Sequence, residues 1–186
     1  MAQKIRIDPF FWIYGAILFY IIPLNWILAI FTASAIHELF HIILIKCVKG
    51  HIYDICLRPS GLVIHAEPMP IQQAVICTLA GPVGSLLLIL FSRFFPLLAI
   101  CGCIQGIFNL LPLYPLDGGK ILFMLFFEIC GANADKVFRW FQIIFVIVLL
   151  VLASLFYDSK ILSVFFLLQL LFKRKSSCKD SIMAVQ

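Results

Sequence analysis

The sequence predicts an all-α, polytopic membrane protein with about six transmembrane helices and a small membrane-associated β-hairpin. Two observations carry this prediction. Of the 186 residues, 63% are hydrophobic and only 12% are charged, and the mean hydropathy is +1.11. A soluble domain has roughly 45–50% apolar and about 25% charged residues. The apolar runs also occupy nearly the whole chain, so no sizeable soluble domain is expected.

Neither charge nor cysteine content points to another class of protein. The net charge is +5, but the basic residues are scattered until the C-terminal "KRKSSCK", so we expect a topology signal and no nucleic-acid partner. The seven cysteines mostly lie inside apolar runs, where a free cysteine behaves as a small hydrophobic side chain. Since no CxxC pair occurs, no disulfide framework is predicted.

The predicted spans are apolar runs separated by proline, glycine and charge, since a helix needs about 20 residues to cross a bilayer. They cover residues 10–22, 26–47, 71–91, 97–113, 137–156 and 161–172. The first is short, so we expect a tilt or an earlier start near Ile7, and Gly81-Pro82 interrupts the third. A shorter apolar segment at residues 121–130 is predicted to be a half-helix or an interfacial helix.

Six spans place both termini on one side of the membrane. If the termini are cytoplasmic, nearly all lysines and arginines lie inside and only Arg93 and Lys160 lie outside, which agrees with the positive-inside rule. We therefore predict a multi-pass protein of the cell membrane, with a transmembrane domain at residues 1–172 and a basic cytoplasmic tail at 173–186. Because the outer turns are very short, function is expected in the bilayer or on its cytoplasmic side.

The connection between the second and third spans, "GHIYDICLRPSGLVIHAE", alternates apolar and polar residues around a Pro-Ser-Gly turn. This pattern predicts a β-hairpin within about residues 51–66, with an ordinary cytoplasmic loop as the alternative. A hairpin with a free edge could pair with an extended peptide. His51 and His65 would face each other across a symmetric hairpin, as a second metal site, a pH-sensitive latch or simply solvated loop histidines.

The second span carries the motif His-Glu-Leu-Phe-His. On a helix, His37 and His41 share one face and can bind one metal ion, while Glu38 reaches a metal-bound water from the side. Zinc lowers the pKa of such a water to about 7, and a carboxylate can take its proton. Because a charge at the centre of a spanning helix costs about 2.5–3.5 kcal/mol, such groups are rare unless they are paired or bind something. The alternative is a hydrogen-bonded cluster that only packs helices.

A catalytic zinc site usually has three protein ligands, so a third is needed outside the second span. Asp117 stands out among the acidic residues, because it follows a spanning helix in "NLLPLYPLDGGK", where prolines and glycines force irregular backbone. Such backbone is tolerated at membrane depth where it is buried in protein or lines a wet cavity. If the second and fourth spans both run toward the cytoplasm, Asp117 lies on the same side as Lys46.

Together, HELFH at residues 37–41 and NLLPLYPLDG at residues 109–118 resemble the site-2 protease family of intramembrane zinc metalloproteases. The second motif is long and specific, and the resemblance covers about Trp26 to Lys120. The two motifs stand in the family's order, on two separate spans.

The resemblance implies one Zn²⁺ per chain, with His37, His41 and Asp117 as ligands and Glu38 as the catalytic acid/base. It also implies that Asn109 lies near the substrate or the developing oxyanion, with a helix-to-helix hydrogen bond as the alternative.

The hairpin from Ile52 to Ala66 occupies the place where the family has a membrane-edge β element that can pair with substrate. Ser85 stands where the family often has an asparagine. The compact six-span layout is most similar to the bacterial sporulation-type branch, which processes a membrane-associated transcription-factor precursor. The implied partners are a membrane-anchored protein substrate, the lipid bilayer and a membrane regulatory protein.

Three functions are open to such a chain. The first is regulated intramembrane proteolysis, in which Glu38 activates water to cut an extended peptide unwound from its own transmembrane helix. The second is a membrane zinc carrier or sensor, which would need further polar residues along a pathway, and the outer halves of the spans offer almost none. The third is an inactive relative that binds a client, although every ligand and Glu38 are intact.

Overall fold

The computed structural model describes residues 4–58 and 61–156, and its helices follow the predicted apolar runs. They are α1 (Pro9–Ile21), α2 (Leu24–Cys47), α3 (Ile71–Leu87), α4 (Pro96–Asn109), α5 (Asp117–Cys130) and α6 (Ala134–Phe156). Short 3-10 turns extend α3 over Leu88–Phe91 and precede α6 at Gly131–Asn133. The predicted span at residues 161–172 and the tail at 173–186 lie outside the described residues. The chain divides into two compact units between Ile121 and Leu122.

The predicted hairpin is present and belongs to a three-stranded sheet of order β1-β2-β3. Strands β2 (Ile52–Arg58) and β3 (Gly61–Ala66) pair antiparallel. Strand β1 (Lys4–Ile7), which the sequence did not predict, pairs parallel with β2. β2 is thus the central strand, and β3 is an edge strand of the described sheet.

The hairpin is not symmetric about its turn. The register set next to the turn places Asp54 opposite His65, and the carbonyl oxygen of His51 accepts a hydrogen bond from the backbone N–H of Glu67 at 2.8 Å. The expectation that His51 faces His65 is therefore wrong, because the strands pair in a register that places each histidine opposite another residue.

Helices α2, α3 and α4 form the core of the first unit. Ala29 and Ala33 of α2 are buried with Cys101 of α4 in one apolar cluster. Glycine lets α4 lie close to α3: a Cβ at Gly102 would stand 2.7 Å from the backbone oxygen of Ser85. Small residues at helix interfaces are a common means of close packing in membrane proteins, and this one lies against the part of α3 that faces the HELFH motif on α2.

Two helices of the described residues are long and apolar enough to cross a membrane: α2, and α3 with its 3-10 extension to Phe91. α4 is apolar but shorter. Large apolar side chains such as Leu28, Leu39 and Ile76 are exposed on these helices, and lipid chains would cover them in a bilayer. The predicted fold class holds in its coarse form, mostly helical with a small β element.

The segment that leads to Asp117 differs in detail from the prediction. α4 ends at Asn109, before the predicted end of the span at residue 113, and α5 begins at Asp117, four residues before the predicted half-helix. The reason is close packing of the first turn of α5 on the preceding loop: a Cβ at Gly118 would stand 2.7 Å from the backbone oxygen of Leu111. The paired glycines, taken as loop formers, thus allow a helix to start here.

The second unit is described by α6 and the part of α5 from Leu122 onward. Aromatic side chains pack between them, with ring centroids 5.3 Å apart for Phe123 and Phe138 and 6.0 Å apart for Phe126 and Phe138. Edge-on and tilted ring pairs of this kind stabilise a helix pair beyond the area that they bury.

Candidate metal centre

The two histidines of HELFH point from one face of α2 into the protein. His37 and His41 are one helical turn apart, and their exposed fractions are 3% and 8%. Their rings meet edge to face, with the two Nε2 atoms 3.2 Å apart. This arrangement follows directly from the i, i+4 spacing, which places both side chains on the same side of the helix.

Asp117 approaches the same point from the start of α5. Its Oδ2 atom lies 3.0 Å from His37 Nε2 and 3.2 Å from His41 Nε2, and its exposed fraction is 4%. As the first residue of α5, its carboxylate also benefits from the positive end of the helix dipole. The structure therefore brings together the three residues that the two motifs contribute.

These three atoms match the ligand spacing of a tetrahedral zinc ion. For bonds of about 2.0–2.1 Å, the edges of a regular tetrahedron are about 3.3–3.4 Å long. The three observed separations, 3.0, 3.2 and 3.2 Å, are close to these edges. Among the described residues, His37, His41 and Asp117 form the group of His, Cys, Asp or Glu side chains able to hold a metal ion.

A glycine keeps space free beside the ligand atoms. A Cβ at Gly81 of α3 would lie 2.8 Å from His37 Nε2 and 2.5 Å from His41 Cε1. Any side chain at position 81 would therefore fill the space between α2 and α3 beside the ligand atoms. We call this space the cradle. This observation and the nitrogen and oxygen donor set both fit a zinc ion.

The other ring nitrogens of the histidines are held by α3. His41 Nδ1 lies 2.8 Å from the carbonyl oxygen of Cys77. Because a carbonyl oxygen can only accept, His41 carries its proton on Nδ1, and in the neutral ring Nε2 has a free lone pair. His37 Nδ1 lies 2.8 Å from Ser85 Oγ, whose residue is fully buried. Partners of this kind orient the histidine ligands of metal sites.

The carboxylate of Asp117 also has a second partner. Its Oδ1 atom accepts a hydrogen bond from Lys120 Nζ at 2.9 Å. The positive charge of Lys120 favours the ionised form of this carboxylate, which is the form that binds a metal.

Glu38 follows His37 on α2 and is half-buried. Its carboxylate interacts electrostatically with His41, His37 and Asp117, so that it lies at the edge of the cluster.

Asn109 is turned toward its own helix, where its side-chain amide donates to the backbone oxygen of Gln105 at 3.1 Å. This bond lies within α4, and a role of Asn109 at the substrate stays a prediction.

Sequence reasoning missed the roles of α3 and of Lys120 around the three side chains. Two signals were visible. The Gly81-Pro82 pair marked an interruption of the third span, and Ser85 stood out as a departure from the family pattern. Neither signal could tell which side chain faces the histidines, because that depends on the rotation of α3 against α2.

Comparisons with known proteins give a consistent result. Residues 62–153 match the model of peptidase family M50. The stage IV sporulation protein FB of Bacillus subtilis (strain 168) is 29% identical over 140 residues, which cover 68% of this chain and 49% of that protein. A zinc metalloprotease of Methanocaldococcus jannaschii is 31% identical over 107 residues, which cover 50% of this chain and 32% of that protein. The chain thus spans half or less of the length of these relatives.

The fold also has a solved counterpart. The structure of a site-2 protease from Methanocaldococcus jannaschii superimposes with a TM-score of 0.66 at 22% sequence identity, covering 98% of this chain and 90% of that one. The resemblance predicted from the two motifs is therefore confirmed in sequence and in fold.

Proposed function

The chain is a relative of the site-2 proteases of peptidase family M50, and from this relationship we propose that it is an intramembrane zinc metalloendopeptidase. It hydrolyses a peptide bond in or near the transmembrane segment of a membrane-anchored protein. The observation that carries this proposal is the convergence of two imidazole nitrogens and one carboxylate oxygen at 3.0–3.2 Å in a buried site. In this assignment His37, His41 and Asp117 hold one Zn²⁺.

Peptide hydrolysis at this site also needs activation of the scissile carbonyl and transfer of a proton. A zinc ion held here supplies Lewis-acid polarisation of the scissile carbonyl and makes water more acidic. Glu38 takes a proton from the attacking water on a carboxylate oxygen and returns it to the leaving amine nitrogen. Burial of the histidines and Asp117 excludes bulk water from their ligand atoms, which strengthens each electrostatic interaction.

Asn109 is assigned a supporting role at the substrate. Its amide now bonds to the Gln105 carbonyl oxygen on the same helix, and a different rotamer would release it toward an oxyanion or a substrate carbonyl. Asn109→Ala is expected to slow cleavage while zinc content stays unchanged. Equal cleavage by wild type and variant would remove Asn109 from the site.

The β-hairpin, from Ile52 to Ala66, is assigned to the substrate. β3 is an edge strand in the described sheet, and an extended peptide can add to such an edge. Prolines placed one at a time along β3 test this, because alternate N–H groups of an edge strand face outward. The outward set should lose cleavage and keep zinc, whereas no difference between the two sets would contradict the assignment.

The protein is a membrane protein, and its finer topology belongs to the proposal. We assign six spans within residues 1–172, both termini and the tail at 173–186 to the cytoplasm, and a membrane regulatory protein as a further partner. The support is the positive-inside distribution of lysine and arginine and the fold likeness over most of the chain. A bacterial cell membrane and a sporulation-type role agree with the similarity to the Bacillus subtilis protein.

The test is Glu38→Gln in the full chain, co-expressed with a membrane-anchored reporter. This near-isosteric change removes the proton acceptor but leaves the three ligand atoms intact, so we expect zinc to stay bound and cleavage to fall by roughly 10²-fold or more. His37→Ala is the matched control, which should lose both. Full cleavage by Glu38→Gln would refute the hydrolase, and zinc loss in both variants would leave Glu38 as a packing residue.

The carrier or sensor alternative finds less support in the first unit. There, the described side chains that are both buried and polar are His37, His41, Ser85 and Asp117. Three of them meet at one point and Ser85 contacts His37 directly behind it, whereas a carrier needs a file of polar groups along a path.

A further inference from the structure

Two side chains outside the metal-binding set hold the far atoms of two proposed ligands. His37 Nδ1, on the side of the ring away from Asp117, lies 2.8 Å from Ser85 Oγ. Asp117 Oδ1, the oxygen that does not meet the histidines, lies 2.9 Å from Lys120 Nζ. One partner comes from α3 and the other from α5, so the two contacts are independent of each other.

We propose that Ser85 and Lys120 are positioning residues of the metal centre. Ser85 holds the ring of His37 with Nε2 toward the metal, and Lys120 determines how many oxygens of Asp117 bind it. The inference rests on the proposed function, because it requires His37 and Asp117 to be ligands.

The neutral imidazole of His37 has two tautomers, and in each of them one ring nitrogen carries a hydrogen and the other has a lone pair. If the proton were on Nε2 of His37, it would point at His41 Nε2 and Asp117 Oδ2, at 3.2 and 3.0 Å, and no lone pair would face the metal. When Nε2 faces the metal, His37 carries its proton on Nδ1, and the Ser85 hydroxyl can accept a hydrogen bond from this N–H and hold the ring in this orientation. Ser85 is fully buried, so bulk water does not compete for the contact.

The position of the Ser85 hydroxyl is fixed by packing. Its backbone lies directly under α4, where a Cβ at Gly102 would stand 2.7 Å from the Ser85 carbonyl oxygen. α3 and α4 therefore lie backbone against backbone at Ser85, which restricts the movement of this part of α3. A short side chain on a clamped helix holds an imidazole more rigidly than a long side chain would, since it has only one rotatable bond before its oxygen.

Lys120 affects how the carboxylate of Asp117 can bind a metal. A carboxylate binds through one oxygen or two, and a second bond from Asp117 would occupy the position that a catalytic zinc site keeps open. Lys120 engages Oδ1 and leaves Oδ2 to face both histidines. The lysine side chain is 44% exposed, so that this ion pair adds little to the stability of the fold. Its effect is on how the Asp117 carboxylate coordinates the metal.

The experiment compares zinc affinity and metal geometry in the purified full chain. Ser85→Ala and Lys120→Met remove the two contacts. Thr78→Val is the control for a lost hydroxyl on α3, because Thr78 Oγ1 bonds only to its own helix at the Ala74 carbonyl oxygen. Lys46→Met is the control for a lost exposed charge, and Lys120→Arg restores the donor. Zinc dissociation constants come from competition with a chromophoric chelator.

Ser85→Ala is expected to weaken zinc binding roughly 10–100-fold, the range usual for residues that support metal ligands. Its melting temperature without metal should match that of Thr78→Val. Lys120→Met is expected to keep zinc but, with Co²⁺ in place of zinc, to lose the intense absorption of four-coordinate cobalt, since geometry is visible in such spectra. Lys120→Arg should restore it.

The outcomes distinguish a failure of the positioning roles from a failure of the proposed function. Wild-type affinity in Ser85→Ala together with an unchanged cobalt spectrum in Lys120→Met would overturn the positioning roles and leave the proposed function intact. Equal loss of metal-free stability and of affinity in Ser85→Ala would make Ser85 a packing residue and would also overturn its role. If the wild-type chain binds zinc no better than His37→Ala, the proposed function fails, and this inference fails with it.

Discussion

At the scale of single residues, the centre is defined by which atom of each side chain faces inward. His37 and His41 present Nε2 and Asp117 presents Oδ2, while their remaining polar atoms have partners elsewhere. The i, i+4 spacing of the histidines made their shared face predictable. The inward atom was not predictable, because it depends on partners from α3 and α5 that are distant in sequence.

A prediction at this scale concerns Gly81. In Gly81→Ala the added methyl group would meet His41 Nε2 and stand 2.8 Å from His37 Nε2, so that it competes with the metal for space. We expect zinc affinity to fall by at least the roughly 10–100-fold seen when ligand surroundings are disturbed. Chelator competition measures this in the purified chain.

The control is Gly15→Ala on α1, where a Cβ would meet nothing within 4 Å. It should leave zinc affinity unchanged. If Gly81→Ala binds zinc as tightly as Gly15→Ala, the cradle between α2 and α3 does not surround the metal.

At the scale of elements, the continuous apolar runs predicted where the helices lie. The sequence did not predict the elements that depend on contacts between distant segments. α2, α3 and α6 begin and end within a few residues of their predicted bounds, because proline, glycine and charge interrupt the apolar runs. Strand β1 was missed since it has only four residues and its partner β2 lies about fifty residues away, beyond the reach of local pattern. The start of α5 was missed because paired glycines usually signal a loop.

A prediction at this scale concerns the packing of α4 on α3. Gly102→Ala would place a methyl group 2.7 Å from both the Ser85 carbonyl oxygen and Leu88 Cδ1, and the helices would have to separate. Overpacking of this kind costs about 1–3 kcal/mol. Thermal unfolding of the detergent-solubilised chain should show a lower midpoint than wild type.

Gly15→Ala again serves as the control, since alanine favours a helix interior by roughly 0.5–1 kcal/mol over glycine. Its midpoint should equal or exceed that of wild type. A Gly102→Ala midpoint as high as that of Gly15→Ala would mean that α3 and α4 do not lie as close as described.

At the scale of the whole molecule, the proposal places a buried metal centre in a membrane-spanning chain, with its open side toward the cytoplasm. The basic residues near the hairpin are the support for this orientation. Composition predicted the membrane class, because the chain has 12% charged residues and a soluble domain typically has about 25%. The ligand set needed more than composition, since Asp117 reaches the histidines across 76 or more residues of chain.

The proposed orientation is tested by labelling with a membrane-impermeant thiol reagent. In a background with all seven native cysteines replaced by serine, the proposal places Ser92→Cys in an outer turn and Lys49→Cys on the cytoplasmic side, and both positions are exposed. Intact cells should label Ser92→Cys, whereas Lys49→Cys should react only after permeabilisation. The reverse pattern would invert the topology and place the centre near the outer surface.

The central claim is that one zinc ion is bound by two histidines and one aspartate from separate parts of the chain. X-ray absorption of the purified, zinc-loaded protein tests it most directly, because zinc–nitrogen and zinc–oxygen distances of about 2.0–2.1 Å are distinct from zinc–sulfur distances of about 2.3 Å. The account predicts one zinc per chain with only nitrogen and oxygen neighbours, and loss of that zinc in His37→Ala. Sulfur neighbours from any of the seven cysteines, or an unchanged spectrum in His37→Ala, would contradict it.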